Sequence, residues 1–444
     1  MAATSLPGSS CIAATTTIRL SLPDPNFSLS RSLISYGHVA LAPNQWDPSE
    51  EPNHPDENSV FSRPLRVNSG AAVPVRLWQD IKDKSLVIEH GDAIVRKNNG
   101  PRSAPKDDDD DDDDNNNNIT SQVVAQIKRM IRYDADLSEF HQMSPEACKM
   151  QWGRTYCSPS LWEDVVKTIT NCNMQWSGTC EMNVRLCTNL ETPLNSFPTP
   201  KEIVQFTADE LQSMCRLGYR SPWIRSIAQS IVDGSIDFDA LEQDLLHGNA
   251  TDQAAAEQRL KSLPGVGPFA KANILQLCGR TNAMPFDTET CRLWIEEHGA
   301  SPDKKHRPKV MKDAEEHYRT NFPGQEWRAY WFDLWRNYES RRGVDSRRWT
   351  IPTGPHGEAA FSNAGTSSRK KKKNSNISPT EEEEVRKSSS DASVGSKRSV
   401  TPALSVALTA MTTSPSKRRR TSKCVAVVTP PSRTSIRNKR RSQR

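Results

Sequence analysis

Ala254-Ala-Ala-Glu-Gln-Arg-Leu-Lys-Ser-Leu-Pro-Gly-Val-Gly-Pro-Phe-Ala-Lys-Ala-Asn-Ile-Leu-Gln-Leu-Cys278 places a tight Pro264-Gly265-Val266-Gly267 turn between two helix-forming segments. The first helix is expected to run into Leu263, and Pro268 suits the opening position of the second. Glycine tolerates positive φ and lets another backbone or ligand come close. Gly265, Val266 and Gly267 can therefore present N–H groups to an anion at a helix N-terminus. A DNA phosphate is the natural anion, and such a contact carries no base sequence information. Alone, the turn is equally a packing element. Lys271, further along the second helix, reads as a phosphate contact or as a plain solvent-facing lysine.

About twenty residues after the turn comes Ala283-Met-Pro-Phe-Asp-Thr-Glu-Thr-Cys-Arg-Leu-Trp294. Asp287 stands where it can cap the helix that follows, which is the ordinary task of an aspartate there. Upstream, Ser158-Pro159 offers an N-cap and a first-turn proline, and Leu161, Trp162, Val165, Val166 and Ile169 then recur on one helical face. Thr207-Ala-Asp-Glu210 is a capping box. Trp223, Ile227 and Ile231 repeat every four residues, with Gly234 as a stop. From Ile119 to Ser340 the pattern is that of an all-α core of eight to ten helices, by counting periodic segments.

The hairpin, its Gly/Pro-rich turn and the downstream aspartate together resemble the helix-hairpin-helix, Gly-Pro-Asp superfamily of DNA glycosylases. Ser160-Leu-Trp-Glu-Asp-Val-Val-Lys-Thr-Ile169 is similar to the helix those enzymes place before the wedge that fills the gap in DNA. Arg216-Leu-Gly-Tyr-Arg220 followed by Trp223-Ile-Arg-Ser-Ile-Ala228 is similar to another of their passages. Phe197-Pro-Thr-Pro200 and Glu326-Trp-Arg-Ala-Tyr-Trp-Phe-Asp-Leu-Trp335 resemble segments of bacterial 3-methyladenine glycosylase. The likeness spans residues 119–340, with a looser match over 15–98.

That resemblance implies a mechanism. Asp287 falls on the family aspartate that stabilises the oxocarbenium-like sugar as the base leaves, and a carboxylate fixed in a closed site does stabilise developing charge. Its pKa is expected to stay low, because the helix N-terminus favours the anion. Bifunctional members carry a lysine two residues after the second hairpin glycine, where this chain has Phe269. Lys271 lies about 200° further round the helix and is expected to face away. A monofunctional enzyme that leaves an abasic site follows. Iron–sulfur members need four cysteines after the aspartate, and only Cys291 and Cys424 follow here, so no cofactor or metal is expected. This points to the branch of 3-methyladenine and 8-oxoguanine enzymes.

A glycosylase must also fill the hole left by the flipped base. Asn173, in Thr170-Asn-Cys-Asn-Met-Gln-Trp176, aligns with the wedge position, beside Met174 and Gln175; a polar loop between helices is the alternative. Trp162, Trp176, Trp331 and Trp335 are the aromatic candidates for the base pocket, although rings at helical spacing also build cores. An aromatic pocket suits a cationic alkylated base through cation–π attraction.

The remaining chain frames this core. Residues 1–14 are expected to be disordered, and 15–98 to form a small antiparallel α+β domain. Its extended pieces are Phe27–Leu33, Pro64–Val67, Val73–Leu77 and Ser85–Ile88, separated by turn formers. Residues 99–118, with eight Asp then four Asn, read as a solvated acidic linker. Residues 341–444 hold 24 Lys/Arg against 7 Asp/Glu, a net +17, which leaves 5 − 17 = −12 for the rest. Their clusters at Arg369–Lys373, Lys417–Arg420 and Lys439–Arg441 read as nuclear localisation signals or nucleic-acid contacts in a disordered tail. Ten cysteines without a CxxC pair do not suggest a disulfide framework, and no apolar run is long enough for a membrane span. The expected partners are double-stranded DNA with a damaged base and nuclear import receptors, with the protein acting as a monomer in the nucleus. Two alternatives remain: an 8-oxoguanine-type glycosylase/lyase, and a noncatalytic DNA-binding chromatin protein.

Overall fold

The computed structural model describes residues 15–49, 51, 54–67, 70–95, 112–300 and 306–348. The N-terminal 14 residues, the first part of the acidic run and the three basic clusters lie outside them. The described chain is mainly helical with a five-stranded antiparallel sheet near its N-terminus, as expected. The strands are β1 (Thr16–Ser21), β2 (Gln45–Asp47), β3 (Val60–Arg66), β4 (Ala72–Asp80) and β5 (Ser85–His90), in the order β1-β5-β4-β3-β2.

The three strands expected from Pro64, Val73 and Ser85 onward are β3, β4 and β5, and their alternation buries Phe61, Leu65, Val73, Val75, Leu77, Leu86 and Ile88. The stretch from Phe27 to Leu33 differs from its extended reading. Leu29–Ile34 is a helix, N-capped by Ser28, whose hydroxyl accepts from the Arg31 N–H at 3.2 Å. Its serines simulate a polar face, yet Ser30 and Ser32 are buried and bonded to Pro55 and Ser28 carbonyls. The helix described over Asp112–Met130 takes in the last aspartates and the four asparagines that follow, and runs through the expected boundary at 119. At the other end the chain continues past 340 into a 3-10 helix, Gly343–Arg348, held to β2 by the Trp46 indole donating to the Arg347 carbonyl at 3.0 Å.

Two hydrophobic cores result. One joins the inner face of the sheet to the Asp112–Met130 helix and to the C-terminal helices, through Val123, Ile127, Trp327 and Trp335. The other is formed by helices between Leu161 and Leu277, with Ile169, Leu186, Ile224, Leu260 and Ile274 inside it. The Leu161–Asn171 helix is the hinge of this arrangement. Its N-cap is Ser160, two residues past the expected cap at Ser158, and Leu161 through Thr170 are all buried.

That burial encloses charge. Arg63 of β3 donates to Glu163 with both terminal nitrogens, at 2.8 and 3.1 Å, and Lys167 pairs with the same carboxylate at 2.7 Å. Arg129 pairs with Asp164 at 3.0 Å and with Glu242 at 2.7 Å. Burial alone would raise the Asp164 pKa, but Arg129, His38 and the Ser158 N–H hold it well below the ordinary carboxylate range. Removing one partner of such a group strands a buried charge. Arg63→Ala is therefore expected to lower stability by on the order of 3 kcal/mol in urea unfolding. A loss under about 1 kcal/mol, the scale of an exposed pair, would show that Lys167 alone satisfies Glu163.

Candidate active site

The hairpin is built as the sequence implies. Helix Ala250–Ser262 ends at Leu263, and helix Pro268–Leu277 begins after Gly267. Gly265 has φ +83°, and a Cβ there would come within 2.6 Å of the Trp223 ring. Backbone strain and the indole beneath it both demand glycine. Gly267 is different: it has φ −79°, and nothing lies within 4 Å of a Cβ built on it. The open face above Gly267 is the approach to the helix N-terminus, whose first N–H groups lack intrahelical partners. Lys271 reaches back to Glu257 of the preceding helix at 2.8 Å and does not border the cleft described below.

Asp287 caps helix Thr288–His298. Its Oδ1 accepts from the N–H groups of Glu289 and Thr290 at 2.9 and 3.0 Å, and the Thr290 hydroxyl lies 3.4 Å from the Asp287 N–H. That hydroxyl also contacts the Tyr330 hydroxyl at 3.2 Å, which ties the cap to the C-terminal helix. The expectation of a low pKa is corrected here. Burial pushes the carboxyl up to about 6, and Glu289 adds to the rise, while the capping N–H groups oppose it without overcoming it. Desolvation outweighs the helix N-terminus.

The turn and the aspartate border one cleft of about 980 Å³. Gly265, Val266, Gly267, Asn173, Trp176, Trp331 and Asp287 all line it. Asn173 is exposed at φ +51°, in the loop between Leu161–Asn171 and Trp176–Thr188. That loop is held from below by Arg220, a 2% exposed side chain that donates to the carbonyls of Ile169 and Cys172. A guanidinium at a helix C-terminus satisfies orphan carbonyls and complements the dipole. Trp162 and Trp335 lie elsewhere. The Trp162 indole donates to the Pro198 carbonyl at 2.8 Å within the second core, and Trp335 stacks on Trp152 at 5.6 Å within the first. Both obey the commoner use of aromatics at helical spacing.

Other walls of the cleft escaped the sequence reading. Tyr36 and His38 enter from the N-terminal segment, more than 200 residues from the hairpin, with no spacing to announce them. Tyr36 donates to Asn273 Oδ1 at 2.8 Å and lies 5.2 Å from the Trp331 ring. In the sequence the hint of such a partner is Asn273, a polar residue set between Ala272 and the apolar Ile274 and Leu275. Phe269, Phe286, Tyr330 and Tyr338 complete an aromatic surround. Among the described residues, those lining the cleft include no lysine or arginine; Asp287 and Glu289 supply its formal charges. Glu289 accepts from Arg292 Nε and the Tyr338 hydroxyl, both at 2.9 Å. No cluster that could hold a metal occurs among the described residues.

No protein-family model and no curated protein matches the chain. Among solved structures, it is similar to 3-methyladenine DNA-glycosylase from Archaeoglobus fulgidus, with TM-score 0.50 and 15% identity over 71% of this chain and 97% of that one. This likeness establishes a shared fold. The apo form of 8-oxoguanine glycosylase/lyase from Clostridium acetobutylicum also aligns, with TM-score 0.45 and 15% identity over 70% and 93% of the two chains.

The raised Asp287 pKa has a stability consequence. A carboxyl with a folded value near 6 and an unfolded value near 3.8 binds more protons when folded, so its ionisation costs the native state as pH rises through that window. Asparagine caps as well as aspartate. Asp287→Asn is therefore expected to be more stable than wild type at pH 7.5, by about 1–2 kcal/mol after allowing for its partial exposure to the cleft. The gain should vanish below pH 4, as read by thermal unfolding across pH. Equal stability at both pH values would show that the carboxylate is ionised without cost.

Proposed function

We propose that the protein is a monofunctional DNA glycosylase, which flips an alkylated base from duplex DNA and hydrolyses its glycosidic bond. The observation that carries this reading is the placement of Asp287, a capped carboxylate, in the same aromatic cleft as the hairpin turn. The turn's N–H groups would hold a backbone phosphate, and Asn173, with Met174 beside it, would occupy the vacated stack. Asp287 would then face the sugar as positive charge develops, where a fixed anion in a partly desolvated site acts most strongly.

Absence of lyase chemistry is supported by Phe269, which forms cleft wall where bifunctional enzymes of this type carry a lysine, and by the engagement of Lys271 with Glu257. An alkylated purine is supported by the electrostatics. A cleft walled by aromatic faces and two carboxylates, with no cationic side chain among its described lining residues, attracts a cationic base.

Base release from duplexes carrying alkylated, oxidised or deaminated bases tests the proposal. Alkylated purines are expected to be released, with strand breaks only after hot alkali, and Asp287→Asn should lower the rate at least 100-fold, a loss of about 2.7 kcal/mol. Wild-type kcat/KM should fall as pH drops through about 6, because the working form is the anion. No release from any lesion with duplex binding intact would favour the noncatalytic DNA-binding reading, and a borohydride-trapped adduct would favour the lyase.

Nuclear residence is supported by the three basic clusters between Arg369 and Arg441. A fluorescent fusion of the whole chain is expected in the nucleus, and one ending at Arg348 should spread through the cell. Equal nuclear retention of both would dismiss the clusters as import signals.

A further inference from the structure

Two polar atoms on residues lining the cleft have no partner. His38 Nε2 and Trp331 Nε1 are both buried without a hydrogen bond among the described residues. Both rings lie against Tyr36, at centroid distances of 4.7 and 5.2 Å. A buried donor or acceptor left unmade is costly, and a ligand group entering the cleft can satisfy it. These two flank one ring in the wall of one cleft.

The chemistry of each atom is fixed by its surroundings. His38 is 2% exposed, and its Nδ1 lies 3.5 Å from Asp164 Oδ1. Asp164 is held anionic by Arg129 at 3.0 Å and accepts the Ser158 N–H at 2.8 Å. A carboxylate accepts only, so the imidazole proton belongs on Nδ1 and Nε2 carries a lone pair. Burial lowers the His38 pKa, so the ring is neutral. Trp331 Nε1 is a donor and nothing else. The wall beside Tyr36 therefore holds one acceptor and one donor.

We propose that His38 Nε2 and Trp331 Nε1 read the edge of the flipped base, His38 accepting from a base N–H and Trp331 donating to a ring nitrogen or carbonyl oxygen. Solvent does not reach either atom, so Tyr36, the ring in contact with both, turns aside as the base enters. Asp164 is a positioning residue that fixes the tautomer. This selects an alkylated purine that carries an N–H on its pairing edge, and it rests on the glycosylase reading above. A positive charge on the base polarises that N–H and strengthens the bond to a neutral acceptor.

Single-turnover excision of 7-methylguanine and of 7-methylpurine, which bears no N–H, tests the proposal, each rate divided by that of uncatalysed depurination. Wild type is expected to prefer 7-methylguanine by about 10- to 100-fold, the range of a lost buried hydrogen bond. His38→Leu should abolish that preference and His38→Gln, which keeps an acceptor, should restore part of it. His38→Leu also removes a partner of buried Asp164 and is expected to lower the unfolding temperature, so the two rates are compared as a ratio within each variant. Affinity for a duplex with a tetrahydrofuran abasic analogue, which offers no base to read, should match wild type in both variants. A normalised wild-type ratio near one, or an unchanged ratio in His38→Leu, overturns the His38 assignment and leaves the glycosylase standing. Release of neither base, nor of any other lesion, overturns both readings.

Discussion

A helix buried on every side while carrying Glu163, Asp164 and Lys167 is the constraint around which this molecule is assembled. Charged groups out of water must find partners, and a single helix cannot supply them. Arg63 comes from the sheet, Arg129 from the helix after the acidic run, His38 from the N-terminal segment, and Glu242 closes the network from the second core. Hydrophobic contact alone would let the two cores slide against each other. Directional ion pairs allow one arrangement.

The cleft inherits that arrangement. The same helix ends at Asn171, and its final carbonyls are gripped by Arg220, so the Asn173 loop leaves a fixed platform. One wall, with the hairpin turn and Trp223, belongs to the second core. The opposite wall, with Tyr36, Tyr330 and Trp331, belongs to the first. Asp287 lies where they meet, and its cap is tied to Tyr330 through Thr290. The carboxylate is thus immobilised on the seam.

What the sequence revealed and concealed follows from locality. The hairpin, the capping aspartate and the capping box at Thr207 are local patterns, whose geometry is set within a few residues, and each stands where its spacing placed it. Trp162 and Trp335 share helical spacing with rings that do line the cleft, and periodicity does not distinguish a core face from a pocket face. Tyr36 and His38 were hidden because only tertiary folding brings them to residues from 173 to 338. The Asp287 pKa was misjudged for a related reason. The helix N-terminus is written in the sequence, whereas desolvation by a distant wall is not.

The joint between the chain's two described ends bears on how such a protein can be inherited. Arg31 pairs with Glu339 at 2.7 Å, and Trp46 holds the backbone of Arg347. Both ends contribute to one core, the sheet through Phe61 and Leu77 and the Glu326–Arg342 helix through Trp327 and Trp335. A gene fragment beginning at Asp112 would lack Tyr36, which lies 6.2 Å from the Trp327 ring, and His38, and would open one side of the cleft. The N-terminal segment that carries Tyr36 and His38 is therefore no detachable module to be shuffled between proteins. Recombination that preserves the cleft must keep Tyr36 and His38 together with the helices that supply Asn173, Asp287 and Trp331.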